Sequence, residues 1–404
     1  MSLRLLEEAV MDKQTFLNNY YTDRKNTRSV KWDLVDSKFK GNNLLRMWVA
    51  DMDFKVADAI TAALAEKIAH GVYGYSFTGS DYFDTVNEWM TNHFNFPLKK
   101  AWIRYTPGIV QALYHLLHAF TVENDAVIIL TPVYYPFHDA VRDTNRQLIT
   151  LDLENNDCHF SIDFKAFEKK IIAEQVKMYI HCSPHNPAGR VWTEEEQLRL
   201  FEICERHDVL VISDEIHQDF TFGDAKHIPS ATVADGRFRN RIITANSASK
   251  SFNLAALTHA HIIITEEALR KQYDDYARTA IRSEANVMGV IATEAAYRGG
   301  QEWLEALKGV ILDNYNDAVM ALKKALPEIK VAPLQGTYLM FVDLNPVLKG
   351  MNTTEFMQEK CGVAIDYGEW FGTSYHGYIR INLATKPEFV EQTIEAIIRE
   401  ARLL

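Results

Sequence analysis

The stretch RIITANSASKSFNLAALTH, residues 241–259, opens as a strongly apolar strand and then places one lysine, Lys250, among serines and small residues. Short apolar runs of the same kind recur through the middle of the chain: AVIILTP (126–132), KMYIHCSP (177–184), VLVISDE (209–215) and AHIIIT (260–265). Each is short, rich in β-branched residues and closed by polar or special residues, which is the pattern of strands buried on both faces. Helical patterns separate several of them. In TEEEQLRLFEICERHD, Thr193 and Glu196 make a capping box ahead of Leu198, Phe201, Ile203 and Cys204. Alternation of this kind predicts an α/β fold, a large domain with a mostly parallel sheet flanked by helices. From residue 301 the pattern changes to a long helix, QEWLEALKGVILDNYNDAVMALKKAL, then strands TYLMFVDL and GYIRINLA and a last helix from Pro387. The expected division is a large domain over 63–300, a smaller α+β domain over 301–404, and an N-terminal segment, 14–62, that joins the small domain.

Composition narrows the function. A chain of 404 residues with 47% apolar and 24% charged residues can build two sizeable cores. A net charge of -11 opposes binding to nucleic acid or to an anionic membrane surface. No apolar run reaches the roughly 18 residues needed to span a bilayer, and the start, MSLRLLEEAV, lacks the long apolar core of a secretion signal. Cys158, Cys182, Cys204 and Cys361 form no CxxC pair, so the expectation is a reducing cytoplasm with neither disulfide framework nor zinc ribbon.

In an open α/β sheet ligands bind beyond the carboxyl ends of the strands. Those ends read TPVYYP, SPHNPAGR, SDEIH and NSASK, which bring an aromatic, an asparagine, an aspartate and a lysine to one crevice. Each has an ordinary reading alone: a lysine after a strand is commonly solvated, Asp214 with Glu215 can cap a helix, and Asn186 before proline is a turn residue. Arg380, flanked by Ile379 and Ile381, falls on the face away from the core and suits either a surface charge or a site. Together the set fits one chemistry. A lysine amine forms a Schiff base with an aldehyde and then serves as a base if its pKa is lowered. A buried aspartate keeps a pyridine nitrogen protonated. Pyridoxal 5'-phosphate (PLP) needs both, and TPGIVQALYHLLHAF from Thr106 supplies a glycine turn opening onto a helix, whose free N–H groups attract phosphate. Ser247 and Ser249 are candidate additional donors. His115 and His118 lie three apart on a helix without a third ligand, so no metal site is expected. Asp51 and Asp53 in VADMDF read as cleft-wall structure without a catalytic role.

In this order, the motifs KWDLV (31–35), MWVADMDF (47–54), HGVYGYS (70–76), HNPAGR (185–190), ISDEIHQDF (212–220), SASKSFNLAAL (247–257) and GYIRINLA (377–384) resemble the PLP enzymes of aspartate-aminotransferase-like fold (PLP fold type I). Within them the likeness is to the MalY/PatB-type cystathionine β-lyases, from about residue 14 to the end. The resemblance implies that Lys250 carries the cofactor and moves the Cα proton, that Asp214 pairs with the pyridine nitrogen and that Asn186 bonds the ring oxygen. It implies that Tyr134 stacks on the ring, that Ile109, Val110, Ser247 and Ser249 bind phosphate, and that Arg380 takes the substrate α-carboxylate. Tyr75 would reach the phosphate of a neighbouring subunit, making a homodimer with shared sites. His217 stands where the wider family often has tyrosine, and Thr258 where it often has the phosphate-binding arginine; both departures suit the MalY/PatB group. They leave the cationic partner of the phosphate unassigned, with His259 and His261 nearby.

The implied reaction is α,β-elimination from an L-amino acid with sulfur at Cβ, giving pyruvate, ammonia and a thiol. Transamination shares its early steps, so an aminotransferase is the alternative, and a regulatory protein on the same fold is a second one.

Overall fold

The computed structural model describes residues 11–41, 43–281 and 285–404; the opening MSLRLLEEAV lies outside them. The expected apolar runs form one sheet with two further strands: β1 (Ile103–Thr106), β2 (Ala126–Thr131), β3 (Gln147–Asp152), β4 (Met178–Cys182), β5 (Leu210–Asp214), β6 (Ile242–Asn246) and β7 (Ala260–Ile264). Their order across the sheet is β1-β7-β6-β5-β4-β2-β3. The run β3-β2-β4-β5-β6 is parallel, whereas β7 is antiparallel to both of its neighbours. Strands β2, β4, β6 and β7 are buried along their whole length, which is why they carry no polar alternation.

The pleat sends alternate residues to opposite faces. Val127, Ile129, Ile180, Ile212 and Ile243 pack on Leu113, Leu116 and Leu117 of helix Ile109–Phe120. Ile128, Tyr179, Val211 and Ile242 join the opposite core, with Leu200, Phe201 and Cys204 of helix Glu194–Arg206. That second helix starts on the expected capping box: the Thr193 hydroxyl accepts from the Glu196 N–H at 3.1 Å, and the Glu196 carboxylate accepts from the Thr193 N–H at 2.9 Å.

A smaller antiparallel sheet follows, with β8 (Lys330–Val331), β9 (Leu339–Asp343), β10 (Asp366–Tyr367) and β11 (Tyr378–Asn382) in the order β8-β9-β11-β10. The long helix Gln301–Ala325 begins at the expected residue and packs beside the last helix, Pro387–Ala401. The N-terminal segment is tied to this sheet's surroundings by Leu45–Arg46, which pairs in parallel with Val363–Ala364. Helix Asp58–His70 runs across the expected 62/63 boundary and packs on helix Val287–Gly299. Among the described residues no helix is long and apolar enough to cross a membrane.

Candidate active site

Register brings the strand ends together. Cys182 pairs with Asp214, and Asp214 with Ala245, so β4, β5 and β6 finish level and their following loops open side by side. Between β2 and β4 the chain connections leave in opposite directions, which makes a topological switch point. Tyr134 and Asn186 flank it, and the Tyr134 N–H donates to the Asn186 carbonyl at 3.0 Å. The pocket beyond these ends has a volume of about 210 Å³, and its wall includes Ile109, Val110, Tyr134, Asn186, Asp214, His217, Ser249 and Lys250. A larger and more open cleft of about 500 Å³ lies between helices Asp58–His70 and Val287–Gly299. It holds Glu66, Lys67, Glu294 and Arg298 but none of the strand-end residues, so chemistry favours the smaller pocket.

Lys250 lies one turn beyond β6, in the short helix Ala248–Ser251, rather than on the strand itself. Its Nζ donates to the Ala50 carbonyl at 2.5 Å, and the Tyr338 hydroxyl donates to that same oxygen at 2.8 Å. Burial pushes the ammonium down from its ordinary 10.5 to about 8; Asp51 and Asp214 hold it up, and Arg380 pushes it further down. Asp214 moves the other way. Burial raises its carboxyl to about 7, with the Ile216 N–H opposing the shift and Glu215 adding to it. His217 is buried and held neutral, first by desolvation and then by the charges of Lys250 and Arg380. Its ring meets Tyr338 edge-on at 5.5 Å.

Arg380, which the sequence leaves open as a surface charge or a site residue, is buried, and this excludes the surface charge. It lies mid-strand in β11, 2% exposed, opposite Phe341 on one side and Asp366 on the other. Its Nη1 donates to Asn186 Oδ1 at 3.0 Å, and its Nη2 donates to Asp366 Oδ2. The face opposite Ile379 and Ile381 meets the loop after β4 and Asp366 instead of water. Arg380 thus crosses from the small sheet to the loop after β4.

At the other end of the pocket, Gly108 begins helix Ile109–Phe120. Ile109 and Val110, whose first-turn N–H groups have no intrahelical acceptors, line the same cavity as Ser249. Ser247 differs from expectation. Its hydroxyl donates to the His259 carbonyl at 2.8 Å and accepts the Ser249 N–H at 3.0 Å, so it builds the turn and leaves Ser249 to line the pocket. His259 and His261 are buried and neutral, both at 2.6 Å from the Tyr82 hydroxyl. Thr258 lines the pocket in a left-handed conformation, φ +44. Tyr75 does not reach the pocket of its own chain: it is fully exposed beside Val72, Tyr73 and Phe77, which are exposed as well.

Three participants escaped the sequence reading. Asp366, Tyr338 and the Ala50 carbonyl lie on elements far apart in sequence, and only the VADMDF and GYIRINLA motifs pointed to their neighbourhood.

Residues 47–397 match the family of class I and II aminotransferases. The chain is 36% identical over 363 residues to cystathionine beta-lyase PatB of Bacillus subtilis, covering 89% of this chain and 93% of that protein. It is 32% identical over 389 residues to protein MalY of Escherichia coli, covering 94% and 97%. The PLP-bound C-S lyase of Staphylococcus hominis superimposes with a TM-score of 0.88 at 33% identity, over 94% of this chain and 96% of that one. With Lys250 and Asp214 in one pocket, this chain belongs to the class I and II aminotransferase family, in the group of PatB and MalY.

Proposed function

We propose that the protein is a PLP-dependent carbon-sulfur β-lyase that converts L-cystathionine or L-cysteine-type amino acids to pyruvate, ammonia and a thiol, homocysteine in the case of cystathionine. The observation that carries this reading is the meeting of Lys250 and Asp214 on the wall of one pocket, with Arg380 bonded to Asn186 of the same wall. The likeness to PatB and to the C-S lyase supports elimination over amino transfer.

The residues fit the cofactor. Asp214 is a buried carboxyl to which only the Ile216 N–H donates among the described residues, so it would hold a protonated pyridine nitrogen, the cation its burial lacks. The first turn of helix Ile109–Phe120 and Ser249 offer donors to a phosphate. When bound, PLP supplies an electron sink for negative charge at the substrate Cα.

Lys250 would anchor the cofactor and, with its ammonium pKa lowered to about 8 so that more of the amine is unprotonated than in an exposed lysine, would take the Cα proton. Arg380 would take the α-carboxylate and so help to position the substrate. Tyr134 would stack on the ring, Asn186 would donate its amide to the ring oxygen, and neutral His217 walls the site. Tyr75 comes from a second copy of the chain, and the exposed Val72, Tyr73 and Phe77 around it support a homodimer with shared sites. Four free, buried cysteines support a cytoplasmic setting.

Pyruvate release from L-cystathionine tests the activity. Wild type is expected to be yellow and to release pyruvate. Lys250→Ala is expected to lose the protein-bound visible band and at least a thousandfold of the rate. Keto-acid-dependent amino transfer without pyruvate release would sink the lyase reading, and a protein that takes up no PLP would sink the cofactor.

A further inference from the structure

Arg380 already holds a carboxylate of its own chain. Asp366 of β10 is its register partner, and both side chains are 2% exposed. The contact is one-point, through Nη2 and Oδ2. Arg380 Nε and Asp366 Oδ1 are left buried without a hydrogen-bond partner among the described residues. A guanidinium and a carboxylate this close ordinarily form two parallel bonds. Here Nη1 is committed to Asn186 at 3.0 Å, and the Trp48 carbonyl lies 3.4 Å from Nη2.

A guanidinium offers a carboxylate two bidentate approaches, end-on through Nη1 and Nη2 or side-on through Nε and Nη2. Both use Nη2, the nitrogen that Asp366 occupies. An incoming carboxylate must therefore displace Asp366 or share that nitrogen with it, and two carboxylates beside one cation in a water-poor site repel each other. On the reading of Arg380 as the α-carboxylate clamp, we infer that Asp366 is a built-in competitor for the substrate carboxylate and so a specificity-determining residue. It weakens the hold of Arg380 on bare carboxylates. Retention then depends on the further contacts that an α-amino acid makes in the pocket, and simple organic acids are turned away.

The test uses holoenzyme, its loading read from the visible band, titrated by calorimetry with propionate and with propionamide. Asp366→Asn is expected to bind propionate at least threefold more tightly than wild type, with propionamide unchanged. A smaller gain, or a loss, overturns the competitor, because a merely structural partner of Arg380 would give that result. If Asp366→Asn does not fold, wild type decides: propionate binding less than tenfold tighter than propionamide is expected, and a larger ratio marks an unobstructed clamp and overturns the inference. Arg380→Ala keeps the two readings apart. If it leaves propionate binding intact, the clamp itself fails and the inference with it. If it abolishes propionate binding while Asp366→Asn brings no gain, the inference alone fails.

Discussion

Burial moves Lys250 and Asp214 toward neutrality from opposite ends of the pH scale, because desolvation penalises whichever form is charged. This has a consequence for the cofactor-free protein. The Asp214 carboxyl titrates at its ordinary 3.8 in the unfolded chain and at about 7 in the folded one. Between those values the folded state binds the extra proton, so the stability contributed by neutral Asp214 is complete below 3.8 and lost as pH rises through about 7. Urea midpoints of cofactor-free wild type are therefore expected to fall, relative to Asp214→Asn, as pH rises from 4 to 7; parallel curves would contradict it. Thr258 shows a different residue-scale effect. A β-branched side chain at φ +44 is strained, and the strain sits on the pocket wall, where the sequence departs from the wider family's arginine.

Elements place these residues through their ends. The level finish of β4, β5 and β6 puts Asn186, Asp214 and Lys250 in reach of one ligand, although 64 residues of chain separate the first from the last. Helix Glu194–Arg206 covers the sheet behind them, and its capping box satisfies two backbone donors at its start. Thr193→Ala is expected to cost about 1 kcal/mol, read as a lower urea midpoint at unchanged slope, with Thr193→Ser restoring most of it.

For the molecule as a whole, a buried ion pair inside the N-terminal segment is tied through Thr385 to the segment after the small sheet. Lys31 and Asp53 are both fully buried, 2.7 Å apart, and the Trp32 indole N–H and the Thr385 hydroxyl donate to the same carboxylate at 2.7 and 2.8 Å. Asp51, held by Arg24, stands beside this cluster. Sequence reading assigned VADMDF to cleft-wall structure, and these contacts give that structure its content. Removing one partner strands a charge in the core, so Asp53→Ala is expected to lose about 3–5 kcal/mol. Denaturant unfolding measures it, and a loss under 1 kcal/mol would mean that water reaches Lys31.

The amino-acid order by itself determined five of the seven strands of the large sheet, the Thr193 cap and the list of strand-end residues, because burial on both faces leaves an uninterrupted apolar run and a cap leaves a local motif. It also carried Lys250, Asp214 and Asn186, since strand ends in a parallel sheet converge whatever the details. Tertiary structure decided what depends on contacts between distant segments. It decided that the Arg380 face is buried, set Asp366 against it, turned Ser247 inward to build a turn, and placed the Ala50 carbonyl under Lys250. Alternation along a strand says which residues share a face; only the packing of one sheet against another says whether that face meets water.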